Sequence, residues 1–298
     1  MDKHQLQGHA AVLLANTIFG LGVPVTAVLL SKWVTPLGYM LTRCMGAALI
    51  FWILSLFLPK EKVKGRDLAV IISGGLLGVV VSQTLTAWAL VYTTPVYFSL
   101  IATLTPVATM ALSALLLHEG INSKGMAGLL LGIAGAVLMV VVNGQSGTGK
   151  NDLLGIFLAL LSLLTWVIYL IITRKVSGHY SSMTQMKWVF LASSVVLLPF
   201  TLPEFGQQRL YSSAWQWSGV AEMAFIVVFA TVAGYFALPF AMRYLSATTV
   251  SIYTNLQPVV ASVVAICIGQ DALTWDKPVS GLLVLMSAWI VTQNVVKR

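Results

Sequence analysis

In a chain of 298 residues, 58% hydrophobic and only 9% charged residues exclude an ordinary soluble domain, in which about 25% of residues carry charge. So few charges could not cover a fold of this size; the composition calls for lipid as the solvent, where a spanning helix needs roughly 20 mostly apolar residues. The net charge of +8 would suit a nucleic-acid partner, but the basic residues are scattered over predicted loops with no basic face alternating with aromatics, and nucleic acid is excluded.

Ten apolar runs follow along the chain: His9–Leu30, Leu37–Leu58, Leu68–Val91, Thr94–Leu117, Met126–Val142, Leu153–Thr173, Met183–Leu202, Ser218–Met242, Leu245–Ile268 and Val279–Val296. Each is long and continuously apolar, which implies helices; a membrane barrel would show short segments of alternating hydrophobicity. The first run is too long for the apolar core of a signal peptide and lacks a convincing small-x-small cleavage site, so it is expected to stay as a helix. With both termini inside, the inner loops and tails hold Lys3, Lys60, Lys62, Lys64, Arg66, Lys124, Arg174, Lys175, Arg243, Lys297 and Arg298. The outer loops hold only Lys32, Lys150, Arg209 and Lys277. The positive-inside rule therefore predicts cytoplasmic termini.

Polar and aromatic groups inside apolar runs are costly and point to function. The first run contributes Asn16, and the second Arg43, which could attract a carboxylate or snorkel to the interface, as could Lys187 in the seventh. The third carries Gln83 and the packing stripe Gly74-x-x-x-Gly78; the fifth has Gly128, Gly132 and Gly135, with Gly281 in the tenth. Such stripes could pack the halves together or a second subunit. In the fourth run Ser99, Thr103 and Pro106 are spaced i, i+4, i+7 and share a face, as Ser251, Asn255 and Pro258 do in the ninth. Each proline frees a carbonyl one turn earlier, near residue 102 or 254, and is expected to bend its helix, making Pro106 and Pro258 hinges. The opposite face, with Tyr97, Ile101 and Thr105 or Thr249, Tyr253 and Gln257, ranks second as cavity lining. The sixth run supplies Trp166 beside Thr165 and Tyr169, the eighth Tyr235 and a shallow Glu222, and the tenth Trp289. Trp166 and Trp289 lie well inside their runs, away from the interfacial belt, where an aromatic can stack on a ring or a cation or simply pack.

Two features carry no chemistry. Gly144, Gly149 and Lys150 match GxxxxGK, but Asn151 stands where a magnesium-binding hydroxyl is needed and the flanks are membrane runs, so no phosphate loop is expected. Cys44 and Cys267 have no metal-ligand spacing, and neither metal nor cofactor is expected.

A gapless shift of 152 residues lays Tyr92–Glu119 on Tyr244–Asp271, matching Tyr92 with Tyr244, Ser99 with Ser251, Leu104 with Leu256, Pro106–Val107 with Pro258–Val259, and acid with acid. Gln83 and Tyr235 are the same distance apart. Residues 1–142 and 153–298 thus read as two five-helix units joined by the linker 143–152. An odd number of spans turns the second unit upside down, and inverted repeats are a common construction of secondary transporters, with the substrate near the midplane between them.

The proline-containing fourth and ninth runs ending in an acid (LHE, GQD), the Gly-rich run after each, Arg43 early in the second run and the aromatic in TAWALVYTTP resemble the EamA-type branch of the drug/metabolite transporter superfamily. The usual Gly-Glu is His118-Glu119 in the first copy and Gln270-Asp271 in the second. The resemblance implies an all-α integral membrane protein of two inverted five-helix repeats around a central cavity, exporting small metabolites, often amino acids, across the inner membrane. The expected reading is a carrier of amino acids or similar solutes, with Asn16, Gln83, Ser99, Thr103, Trp166, Tyr235, Ser251 and Asn255 lining the site and Arg43 assisting. Uptake or exchange of sugars, nucleotide precursors or purines is the alternative within transport, and a membrane-embedded enzyme or lipid-handling scaffold the alternative of another class. Coupling to a proton or counter-substrate and the oligomeric state stay open.

Overall fold

The computed structural model describes residues 3–102, 104–117, 150–212, 215–245 and 253–269, with single positions at 127, 130, 131, 247, 250, 279, 282 and 286. Every long described element is helical. The first run is α1 (Lys3–Lys32), longer at both ends than its apolar stretch, and the second is α2 (Pro36–Ser55). The third is one continuous helix made of α3 (Gly65–Gly75), a π segment (Leu76–Val81) and α4 (Ser82–Tyr92). The fourth is split into α5 (Pro95–Ala102) and α6 (Thr105–Leu117). The sixth is α7 (Asp152–Ser177) and the seventh α8 (Ser182–Thr201). The eighth runs through α9 (Trp217–Phe225), a second π segment (Ile226–Ala233) and α10 (Gly234–Met242). The ninth opens with a 3-10 turn (Tyr253–Asn255) and continues as α11 (Leu256–Cys267). Most of the fifth and tenth runs, with Glu119, Asp271, Trp289 and the glycines assigned to those runs, lies outside the described residues. Six described helices, at His4–Lys32, Pro36–Ser55, Gly65–Tyr92, Asp152–Ser177, Ser182–Gln207 and Trp217–Met242, are long and apolar enough to cross a membrane.

Local chemistry sets the helix ends. Pro36 opens α2, where its missing N–H would be unpaired in any case, and Thr35 Oγ1 accepts from Gly38 N at 3.2 Å. Asn151 Oδ1 caps α7 by accepting from Leu154 N at 3.2 Å, so the residue that spoils the GxxxxGK match has a structural task. The surface is apolar where lipid would lie: Leu49, Leu115, Phe157 and Phe200 are each more than half exposed.

Exchanging the two halves leaves the packing scheme unchanged. The second and seventh spans pack on each other (α2 on α8), as do the fourth and ninth (α5 on α11). The third packs on the sixth (α4 on α7) as the eighth packs on the first (α10 on α1), and the fourth on the sixth (α6 on α7) as the ninth on the first (α11 on α1). The Gly74–Gly78 stripe belongs to this scheme. A Cβ at Gly74 would meet Ile172 Cγ2 at 2.8 Å, and one at Gly78 would enter the ring of Tyr169, so the stripe seats α3 and the first π segment on α7 and packs half against half.

The two π segments also correspond. Residues 76–81 shifted by 152 become 228–233, inside the second segment. An extra residue in a helical turn rotates everything after it by about 100°. Gln83 and Tyr235, just beyond the two segments, are among the residues this presents to the centre of the bundle.

The stretches on either side of α2 are tied to the second half. At one end Gln208 Oε1 accepts from Thr35 N and Gln208 Nε2 donates to Thr35 Oγ1, both at 2.9 Å, while Thr35 Oγ1 donates to Glu204 Oε2 at 2.9 Å. At the other, Glu61 accepts from Ser181 N at 3.0 Å and Ser181 Oγ at 2.8 Å, and Tyr180 Oη donates to Asp67 Oδ2 at 2.6 Å. Partial burial works against the Glu61 charge, but hydrogen bonds from Thr184 and Ser181 and the nearby Arg243 outweigh it and hold the carboxyl below its ordinary range.

Candidate functional site

Polar residues from both halves converge on one cavity of ≈ 100 Å³ at the centre of the bundle. By that measure a water molecule needs only about 10–15 Å³, so the cavity holds several waters or a small solute.

Arg43 forms its charged wall. The side chain projects from α2 into the bundle and is 4% exposed, so it does not snorkel. Nε donates to Thr231 Oγ1 at 2.6 Å and Nη1 to Gln83 Oε1 at 3.0 Å. Thr231 sits in the second π segment and gives its own proton to Ile226 O at 2.8 Å, which leaves its lone pairs for the guanidinium. The cation also lies 5.2 Å from the ring centre of Tyr235 and 5.9 Å from that of Tyr39. Every one of these partners is neutral, and no Asp or Glu lines the cavity among the described residues.

A second wall is a knot of hydroxyls between α4 and α7. Ser82 Oγ donates to Ser162 O and Ser162 Oγ to Ser82 O, each at 2.9 Å, and Thr86 Oγ1 lies 2.7 Å from Ser162 Oγ. The third wall is aromatic. Trp166 is 5.8 Å from Tyr235, which is in turn 5.6 Å from Phe19, both edge to face.

Of the residues singled out in the sequence, Arg43, Gln83, Trp166 and Tyr235 meet here. Asn16 does not line the cavity. Its Oδ1 accepts from Gln257 Nε2 at 2.7 Å and its Nδ2 donates to Val12 O at 2.9 Å, so it stands behind Gln257, which does line it. The side chains of Ser99, Thr103, Ser251, Asn255 and Pro258 lie outside the described residues. From the described part of the fourth and ninth runs, Phe98, Ile101, Ala102, Thr105, Thr254 and Gln257 reach the cavity; Ile101, Thr105 and Gln257 belong to the face placed second, and Ala102 and Thr254 lie three residues after Ser99 and Ser251, beside the first. The fourth run is divided between α5 and α6. Leu104 N bonds Ile101 O at 2.9 Å in a tight turn, and Thr105 Oγ1 donates to Ala102 O, the carbonyl that Pro106 cannot serve, at 2.5 Å.

Ser82, Thr86, Ser162, Thr26, Tyr39 and Thr254 were not singled out, though all line the cavity. The only signal for Ser82 and Thr86 was their i, i+4 spacing around Gln83. Lys187 is half-buried with its ammonium 5.2 Å from the Trp52 ring centre, and Glu222 lines a separate recess with Lys32, Trp33 and Arg209. No group of three His, Cys, Asp or Glu that could hold a metal occurs among the described residues.

A bundle of apolar spans around a small polar cavity, built by two halves with equivalent packing, is the arrangement of a membrane carrier. The chain matches the EamA-like transporter family over residues 6–141 and again over 153–293, and it belongs to that family, whose members are multi-pass membrane transporters and not enzymes. It is 23% identical to an uncharacterized transporter of Archaeoglobus fulgidus over 95% of this chain and 98% of that one. Against the uncharacterized transporter YyaM of Bacillus subtilis it is 25% identical, over 84% of this chain and 82% of the relative. A protein crystal structure superposes with a TM-score of 0.67 at 18% identity, covering 98% of each chain, which speaks to the fold.

Proposed function

We propose that the protein is a secondary carrier that exports amino acids or related small carboxylate-bearing metabolites from the cytoplasm by alternating access. In this reading ten helices form two inverted units of five in the inner membrane, with both termini cytoplasmic. The cavity opens in turn to each side as the halves rock, with Pro106 and Pro258 as hinges. The observation that carries the proposal is Arg43: a buried cation whose partners among the described residues are all neutral, set between the halves where a travelling solute would rest. An ion kept from water without a counter-charge costs several kcal/mol, and a solute carboxylate would supply the missing charge through a two-point hydrogen bond.

Counterflow in proteoliposomes tests this. Purified protein would be loaded with a mixture of unlabelled amino and organic acids, and entry of labelled members followed with and without a pH gradient. Accumulation of a label above protein-free vesicles is expected. If nothing accumulated while a control carrier worked, this substrate class would be wrong, and sugars and purines would be tried next.

A further inference from the structure

We infer that the cavity selects a net anion, a monocarboxylate on a small apolar skeleton, and that a zwitterionic amino acid of the same skeleton is the poorer guest. The inference rests on the cavity being the transport site and narrows the solute within that reading, from amino acids to related acids that lack the free ammonium.

Arg43 supplies one positive charge, and its hydrogen-bond acceptors, Thr231 and Gln83, supply none. The described carboxylates are engaged elsewhere: Glu61 with Ser181, Asp67 with Tyr180, Asp152 with Thr93, Glu204 with Thr35, and Glu222 in the separate recess. A monoanion beside Arg43 brings the site to neutrality. A zwitterion leaves it with the same net charge as before, in surroundings that screen poorly.

The acceptors offered to an ammonium are neutral too. An ammonium has three protons to place. Among the described residues they meet only neutral acceptors: the hydroxyls of Ser82, Thr86 and Ser162, which are knotted together, Thr26 Oγ1, which lies 3.0 Å from Tyr39 Oη, Thr105 Oγ1, which donates to Ala102 O, and the amide of Gln257. Gln83 Oε1 faces the guanidinium. Of the aromatic faces that could hold a cation, Tyr235 already lies beside Arg43, and Trp166 is packed against Tyr169 at 5.0 Å and Tyr235 at 5.8 Å. For the guest's skeleton the cavity offers Leu90, Phe98, Ile101 and Leu163.

The test is binding of matched trios to the purified full-length protein, read as dissociation constants by calorimetry. One trio is 3-phenylpropionate, phenylalanine and 3-phenylpropionamide; the other is 4-methylpentanoate, leucine and 4-methylpentanamide. In at least one trio the carboxylate is expected to bind about tenfold or more tightly than both the amino acid and the amide. Arg43→Gln is expected to erase the preference for carboxylate over amide, whereas Arg43→Lys, which keeps the charge, retains its direction. Thermal unfolding of each variant shows whether it has folded. An amino acid binding as tightly as its parent carboxylate would overturn the inference while leaving the carrier reading intact. Binding by none of the six would overturn it too, and counterflow of any other solute would then keep the carrier reading alive.

Discussion

The third and eighth spans are the same device with different chemistry. Each is a long helix opened by a π segment at the same place, and each presents a residue 152 positions from its counterpart, Gln83 in one and Tyr235 in the other, to the central cavity. The third span is held to α7 by the serine knot and by Gly78 under the Tyr169 ring. The eighth has Gly234 where the third has Ser82, and the ring of Phe19 fills that place. Arg43 hydrogen-bonds to both spans, to Gln83 of one and Thr231 of the other. Equivalent packing therefore brings the two spans to one point, and their differing side chains make that point a site. Repetition builds the frame; divergence supplies the chemistry.

The substitution expected to do most damage removes the residue on which the spans meet. Arg43→Gln deletes charge-assisted hydrogen bonds worth about 1.5–3 kcal/mol, so solute affinity should fall about ten- to a hundredfold in calorimetry or counterflow. Next come the glycines that separate the spans by design. Gly78→Ala drives a methyl into the Tyr169 ring and should cost about 1–3 kcal/mol of stability, seen as a lower unfolding temperature. Gly22→Ala, in the span that packs on the eighth, meets Ala230 Cβ at 3.4 Å, an ordinary contact, and should be distinctly milder. Equal losses would mean that the two spans are seated alike. Ser162→Ala removes the knot from the third span alone, and at roughly 0.6 kcal/mol per interhelical bond in a membrane should cost about 1–2 kcal/mol.

The smallest effect lies at the loops. Glu61 has its carboxyl pKa depressed in the folded state, so its contribution to stability is present above its unfolded value of about 4.3 and is lost as pH falls through the lower folded value. Glu61→Gln should remove that acid-side loss from a melting series between about pH 5 and pH 3 while leaving the neutral-pH order of the other variants unchanged.

Much of the site could be read from residue types because polar groups are rare in these runs. Arg43, Gln83 and Tyr235 stood out on that ground, and the repeat paired the last two. Asn16 stood out equally, yet its partner is Gln257, since a buried amide is satisfied as well by another amide as by a solute. Ser82 and Ser162 did not stand out, because their mutual bonds join positions 80 residues apart that no local pattern links. The π segments left no mark either: LLGVVV and IVVFATVA have the composition of any membrane helix. A bend at Pro106 was expected, and the fourth run divides there into α5 and α6 with a tight turn at Leu104.

The most direct test of the account is whether solute occupies the wall shared by the third span and Arg43. Thr86→Cys, in a background with Cys44→Ala and Cys267→Ser, places a thiol on that wall. In proteoliposomes its reaction with a membrane-impermeant thiol reagent would be timed with and without a transported solute. The account predicts reaction that slows severalfold as solute saturates, with half-protection near the concentration that half-saturates transport. Reaction at the same rate with saturating solute, in protein that still transports, would contradict it and place the transport path elsewhere.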